Sequence, residues 1–312
     1  MAVTVDVLGD DYETRTLPLG GGDVTATLVR KRAEHPVRGA VLYVHGFADY
    51  FFQRHVAEHF TRRSFDFYAV DLRAYGRSLR PGQLANHVTD LTEHFEEIDA
   101  SVRIVREEDG HRDVVLMGHS TGGLTASLWA HERRRDGLID ALVLNSPWLD
   151  LAEPWFLRTV GTAVIRGVGR FAPRLVVRSG LGSVYGQSIH RDHHGEWDFD
   201  LGWKPIEAFP VTAGWLRAVR RAHATLHRGL DVRVPVLLLR SAHSHLHARK
   251  WSVEAMTSDT VLDVEHMRRW GPKIGRDVTV VTVDNGMHDL FLSAEPVRRR
   301  ALAEVDEFLD GV

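Results

Sequence analysis

The sequence predicts an α/β protein, with a mainly parallel central sheet flanked by helices and an inserted cap (lid) region. Three observations predict it. Short apolar, β-branched runs alternate with segments of helical periodicity, the pattern of a parallel sheet buried on both faces. One serine stands between two glycines in Gly118-His119-Ser120-Thr121-Gly122, directly after such a run. From about Pro147 to Arg233 the alternation stops, and the chain holds Trp148, Trp155, Phe156, Trp197, Phe199, Trp203, Phe209 and Trp215.

The elements follow in order. Glu13–Leu17 and Val24–Arg30 read as β segments joined by the turn-forming Gly20-Gly21-Gly22-Asp23. Ala40–Val44 is an apolar strand running into His45-Gly46-Phe47, and Phe67–Val70 is another, ending in Asp71-Leu72-Arg73. Phe51 to Arg63 between them is expected to be helical. From Val88 to Glu107 the apolar residues Val88, Leu91, Phe95, Ile98, Val102 and Val105 recur at helical spacing. Asp113–Met117 is the strand before the serine, and Gly123–Ala130 is small and apolar enough for a helix packed on a sheet. Strands at Ala141–Leu144, Val234–Leu239 and Val278–Val283 follow, with a last helix from Leu290 or Pro296 to Leu309. The expected division is a core of residues 1–146 and 234–312, with the cap inserted at 147–233.

Composition narrows the function. The chain has 312 residues, 44% hydrophobic and 26% charged, as in ordinary globular proteins. A formal net charge of −3 gives no overall attraction to nucleic acid or an anionic membrane. The absence of cysteine excludes disulfides, thiolate metal sites and cysteine nucleophiles. The segment Met1-Ala2-Val3-Thr4-Val5-Asp6 lacks the features of a signal peptide, and no apolar run reaches membrane-spanning length. A cytoplasmic enzyme without a membrane span, monomeric or homodimeric, is the expectation.

A serine hydroxyl becomes a nucleophile when a neighbouring base takes its proton and an acid orients that base. A serine at a strand-to-helix elbow needs its acid and histidine in later loops, in that order. His288, in Asp284-Asn285-Gly286-Met287-His288-Asp289 after the last strand, is the candidate base. After Leu239 the first acids are Glu254, Asp259, Asp263 and Glu265. The Thr121 N–H, just after the nucleophile, is one expected oxyanion donor.

The pieces His45-Gly46-Phe47, Asp71-Leu72-Arg73-Ala74-Tyr75-Gly76-Arg77-Ser78, Gly118-His119-Ser120-Thr121-Gly122 and Gly286-Met287-His288-Asp289 lie in order across the chain. On them the chain resembles the α/β-hydrolases of the monoacylglycerol lipase and serine aminopeptidase-like (S33-type) group. The resemblance implies the α/β-hydrolase fold and a second oxyanion donor at Phe47. It also implies an acid opening a D-x-V-x-x-x-E segment, which Asp259-Thr260-Val261-Leu262-Asp263-Val264-Glu265 fits. Asp259 is then the acid and Asp263 the reserve. The stretch Ser241 to Ser258 ahead of it is longer than the group's pattern.

The expected activity is hydrolysis of carboxylic esters, as by an esterase, monoacylglycerol lipase or lysophospholipase, through a Ser120–His288–Asp259 triad and an acyl-enzyme. No cofactor or metal is called for. The substrate is expected to be a small-molecule ester with an apolar acyl or alkyl part, lodged among the cap tryptophans. Amide, peptide or thioester hydrolysis uses the same groups, and a non-catalytic ligand-binding protein of the same fold is the reading from another class. Other residues are assigned structural work: His45 to local backbone, His119 away from substrate, and Asp71 and Arg73 to their own loop. His243, His245 and His247 alternate, and His190, His193 and His194 cluster, but neither set has an accompanying carboxylate at ligand spacing. Arg298-Arg299-Arg300 reads as an exposed helix face.

Overall fold

Alternating side chains build the sheet. In β4 (Gly39–Val44), Ala40, Leu42 and Val44 pack into one buried cluster, and Val41 and Tyr43 into another on the opposite face. The same period-two division recurs in β6 (Val114–His119), β7 (Ala141–Asn145) and β10 (Val236–Ser241). Strands apolar on both faces must be covered on both, which is why they read as unbroken hydrophobic runs.

The structure, a computed structural model, describes residues 3–20, 24–34, 36–152 and 162–312, and the side chains of all but 162–166. The N-terminal strands β1 (Val3–Asp6), β2 (Gly9–Pro18) and β3 (Thr25–Lys31) are antiparallel, and β3 pairs antiparallel with β5 (Phe65–Asp71). From β5 onward pairing is parallel, through β4, β6, β7, β10 and β11 (Val278–Val283). Strand order across the nine-stranded sheet is β1-β2-β3-β5-β4-β6-β7-β10-β11. The chain leaves β4 toward β5 and returns to pair β6 on the other side of β4. The loops after β4 and β6 therefore meet at the carboxyl end of the sheet, where the connections change direction.

Helix α1 (Arg54–Arg62) and the last helix, α8 (Glu295–Asp310), cover one face with Val56, Ala57, Phe60, Ala301, Leu302 and Val305. The other face is covered by α2 (Phe95–Arg103), α3 (Thr121–Glu132) and α6 (Ala213–His227). The helical periodicity from Val88 is realised in three pieces. A capping box of Asp90 and Glu93 starts a 3₁₀ turn at Leu91–His94, α2 follows, and a π turn closes it at Ile104–Glu108. The expected strands and helices are present with shifted ends. Strand β1 was not expected: three of its four residues are exposed at the sheet edge, so no buried alternation announces it. Gly21-Gly22-Asp23 of the predicted turn, and Trp155 and Phe156 of the expected cap, lie outside the described residues.

Between β7 and β10 the chain forms α4 (Thr162–Phe171), β8 (Val176–Arg178), α5 (Val184–Ile189), β9 (Val211–Thr212) and α6. Helix α6 packs on α3 and buries Trp215, Ala218, Val219, Ala222 and Leu226 in the main cluster. Among the described residues no helix is long and apolar enough to cross a membrane.

Arg73, in the loop after β5, donates to both oxygens of Glu97 on α2, at 2.6 and 2.9 Å. Burial opposes the Glu97 charge, but His94 and Arg73 override it and bring its carboxyl down to about 2. The folded value lies below the ordinary 4.5, so Glu97 contributes its full stabilisation above that pH. The contribution is lost as pH falls toward 2. Glu97→Gln, which leaves Arg73 only its ion pair to the exposed Glu96 at 2.8 Å, is expected to cost about 2 kcal/mol at neutral pH. Thermal unfolding followed from pH 6 downward should show a shallower acid loss in the variant, whereas parallel curves would contradict the assignment.

Candidate active site

The turn at Ser120 is strained. Its φ of 53° and ψ of −118° are rare for a residue with a side chain, and such a conformation costs on the order of 1–3 kcal/mol. Three backbone hydrogen bonds hold it: Ser120 N–H to Asn145 O, and Trp148 N–H and Leu124 N–H to Ser120 O, at 3.1, 3.0 and 3.2 Å. The flanking glycines serve closeness. A Cβ on Gly122 would lie 2.2 Å from His45 O, and one on Gly118 would lie 2.7 Å from Gly123 Cα. Helix α3 thus starts in contact with the end of β4, and the left-handed backbone falls on the serine itself.

His288 follows β11 and is 3% exposed. Its Nε2 is 3.0 Å from Ser120 Oγ, and its Nδ1 is 2.9 Å from Asp259 Oδ2. Asp259 is fully buried, and its Oδ1 accepts from Val261 N–H and Leu262 N–H, both at 2.8 Å. One carboxyl oxygen is thus held by two main-chain amides while the other faces the imidazole. Asp263 lies elsewhere, accepting from Glu265 N–H at 3.0 Å as the N-cap of α7 (Val264–Trp270).

The long stretch ahead of Asp259 closes on itself. Asp259 N–H donates to His243 O at 2.9 Å, and His245 N–H donates to Asp259 O at 2.8 Å. These two bonds return the chain to the end of β10 after an excursion, so the acid still sits beside its strand. His243, His245 and His247 are in this loop and do not form a strand face. Of the other cluster, His190 is buried against Phe199, and His194 stacks on Trp251 at 3.5 Å. Among the described residues no group of three or more His, Asp or Glu is arranged to hold a metal ion.

Behind the reacting atoms lies a layer the sequence did not single out. Asn145 Nδ2 and Gln53 Nε2 donate to the two oxygens of Asp289, at 2.7 and 3.2 Å, fixing the loop that carries His288. Ser241 Oγ donates to Gly286 O at 2.7 Å, tying β10 to the same loop. Asn145 ends an apolar strand and Asp289 adjoins the histidine, and those positions were the only signals available. His45 bonds local backbone, as expected: Nδ1–H donates to Gly46 O at 2.8 Å, and Nε2 accepts from Leu72 N–H at 3.1 Å. Burial lowers its pKa, consistent with a neutral ring. His119 is also pushed down by burial, donates to Asn145 O at 3.1 Å and packs against His288. Asp71 accepts from Phe51 N–H, Arg77 N–H and the Arg77 guanidinium, organising its loop.

Phe47 and Thr121 lie on the two loops that meet above the sheet. Among the described residues neither backbone N–H donates to a protein acceptor. Gly46 keeps this approach narrow, since a Cβ there would be 3.1 Å from Ser120 Cβ. The Phe47 ring packs on Trp215 at 4.1 Å, and Trp215 on Trp148 at 5.6 Å. On the other side, Tyr185 of α5 stands edge-on to His288 at 5.4 Å. Trp197, Phe199 and Trp203 instead join the inserted segment to the core, against His55, Phe52 and Tyr50. Lys204 reinforces that junction with a buried ion pair to Asp49 at 2.8 Å, two residues beyond Phe47. Burial opposes the Asp49 charge, but Lys204, with His119 and His45 nearby, holds its carboxyl below the usual range.

Comparison with known proteins agrees with this architecture. The family model described as serine aminopeptidase, S33, matches residues 35–295. A monoacylglycerol lipase of Mycolicibacterium smegmatis is 31% identical over 143 residues, 46% of this chain and 49% of that protein. Phospholipase YtpA of Bacillus subtilis is 28% identical over 151 residues, 48% of this chain and 55% of that protein. The chain thus spans about half the length of the curated relatives it matches. A soluble variant of monoglyceride lipase from Saccharomyces cerevisiae, solved with a substrate analogue, superposes with a TM-score of 0.71 at 16% identity. That match covers 95% of this chain and 94% of the yeast one, a likeness of fold.

Proposed function

The chain belongs to the serine aminopeptidase, S33, family of α/β-hydrolases, and from that premise we propose that it hydrolyses carboxylic esters through a Ser120–His288–Asp259 triad. One observation carries the proposal: the unbroken line from Ser120 Oγ to His288 Nε2 at 3.0 Å and from His288 Nδ1 to Asp259 at 2.9 Å. The relatives named as a monoacylglycerol lipase and a phospholipase support an ester as the bond cleaved.

The chemistry follows from the groups present. His288 Nε2 accepts the Ser120 proton as Oγ attacks the ester carbonyl, and Asp259 holds the imidazole and stabilises its charged form. The developing oxyanion is received by the Phe47 and Thr121 amides, the latter at the N-terminus of α3 where the helix dipole favours negative charge. His288 then gives its proton to the leaving alkoxide. A water deprotonated by the same nitrogen attacks the acyl-enzyme, releasing the acid and restoring Ser120. The acyl or alkyl part of the substrate is assigned to the partly buried rings of Phe47 and Trp148, which the buried Trp215 supports from behind.

A fluorophosphonate probe tests the nucleophile directly. Labelling is expected on Ser120 and nowhere else, and a folded protein that stays unlabelled would return the chain to the ligand-binding reading. A series of p-nitrophenyl esters then reads the pocket. An optimum at long acyl chains would mark a lipase-like substrate range, and activity confined to acetate and butyrate a short-chain esterase. Matched anilides separate ester from amide cleavage.

A further inference from the structure

The net charge of −3 averages over an uneven chain. From Pro154 to Arg191 there is no Asp or Glu, while Arg158, Arg166, Arg170, Arg174, Arg178 and Arg191 are all present. In the described part of this stretch Phe171 is 84% exposed, Leu175 52%, Val176 49% and Val177 41%. Arg170, Arg174 and Arg178 stand among them at intervals of four residues, exposed, and pair with no carboxylate among the described residues. Elsewhere the arginines of this protein commonly meet an acid, as Arg30, Arg63, Arg73 and Arg77 do. Exposed apolar side chains clustered in one segment mark an interaction surface rather than ordinary scatter.

We propose that the segment from Gly169 to Leu181 is a docking surface for anionic lipid bilayers. Guanidinium groups interleaved with Phe, Leu and Val suit the headgroup boundary, where aliphatic and aromatic side chains enter the acyl layer and arginines meet phosphates. A second copy of the chain fits less well. A twofold interface would set the same unpaired arginines of both copies close together. Nucleic acid fits less well too, since Phe171 is the one aromatic plane on a surface otherwise made of the aliphatic Leu175, Val176, Val177 and Leu181, which offer successive bases nothing to stack on.

The surface also borders the site. Gly214 N–H donates to Pro173 O and Ala213 N–H to Leu175 O, both at 2.8 Å, so the segment is fastened to the first turn of α6. Trp215, in that same turn, packs against Phe47. A docked bilayer therefore lies across one helical turn from the oxyanion loop.

The test is vesicle co-sedimentation of the full chain carrying Ser120→Ala, which reads binding without turnover and is independent of the hydrolase reading. Phosphatidylcholine vesicles are compared with phosphatidylcholine containing a third phosphatidylglycerol, at low salt and in 0.5 M salt. Strong preference for the anionic vesicles is expected, and it should fade in high salt. Each arginine contributes roughly fivefold near such a surface, so R170S/R174S/R178S should lose on the order of a hundredfold in affinity. F171S/L175S should weaken binding at both salt concentrations. Unchanged unfolding midpoints in both variants establish that the exposed substitutions leave the fold intact. Equal binding to neutral and anionic vesicles, or undiminished binding by the arginine variant, would overturn the proposal. So would a dimer that F171S/L175S dissociates, or binding to nucleic acid in place of vesicles.

Discussion

Ser120→Ala is expected to lower kcat for ester hydrolysis by roughly 10⁵-fold or more, with the unfolding midpoint moving by no more than about 2 °C. The hydroxyl makes its side-chain hydrogen bond to His288, so its loss removes the proposed nucleophile and leaves the packing untouched. The strained backbone persists in the variant, because hydrogen bonds from Leu124 and Trp148 and to Asn145 impose it. The measurement is a p-nitrophenyl ester assay on protein whose far-ultraviolet circular dichroism matches the parent. Retention of even a thousandth of the activity would assign the chemistry to another residue.

The second large effect separates two neighbouring acids. Asp259→Asn is expected to reduce kcat by about 10⁴-fold, because an amide neither stabilises the imidazolium nor fixes the tautomer that leaves Nε2 free. Asp263→Ala should cost about 1 kcal/mol of stability through loss of the α7 cap and leave kcat at the parent level. The contrast follows from position. Asp259 is fully buried and 2.9 Å from His288 Nδ1, whereas Asp263 accepts from the Glu265 amide at a helix start. The opposite pattern, with Asp263 controlling kcat, would replace the acid in the proposed triad.

How far the sequence alone reaches can be judged from these residues. The parallel strands were legible because burial on both faces leaves continuous apolar runs. The elbow was legible because close approach of two backbones restricts Gly118 and Gly122 to glycine. His288 was legible because it directly follows the last strand. Asp259 was not readable from spacing, since the bonds that return it to β10, to His243 O and from His245 N–H, are made by backbone, which leaves no trace in side chains. Asn145, Gln53 and Asp289 were illegible for a related reason. Their network joins the end of β7 to two distant loops, and no local pattern records a contact between residues 145 and 289. The edge strand β1 escaped because an exposed strand needs no apolar alternation. Within residues 147–233 the aromatic content suggested that a few of the rings line a pocket while others form a core, without saying which. The described tryptophans divide between the neighbourhood of Phe47 and a junction fixed by the Asp49–Lys204 pair.

The excursion between Ser241 and Asp259 is pinched at its base by two main-chain hydrogen bonds, while His247, Arg249 and Lys250 at its tip are exposed. Such a neck makes the acid's location independent of how much chain lies beyond it. Lengthening a flexible ring costs only about 0.6 kcal/mol for each doubling. An epitope or reporter grafted at residues 248–250 would be carried at the periphery while the imidazole keeps its partner.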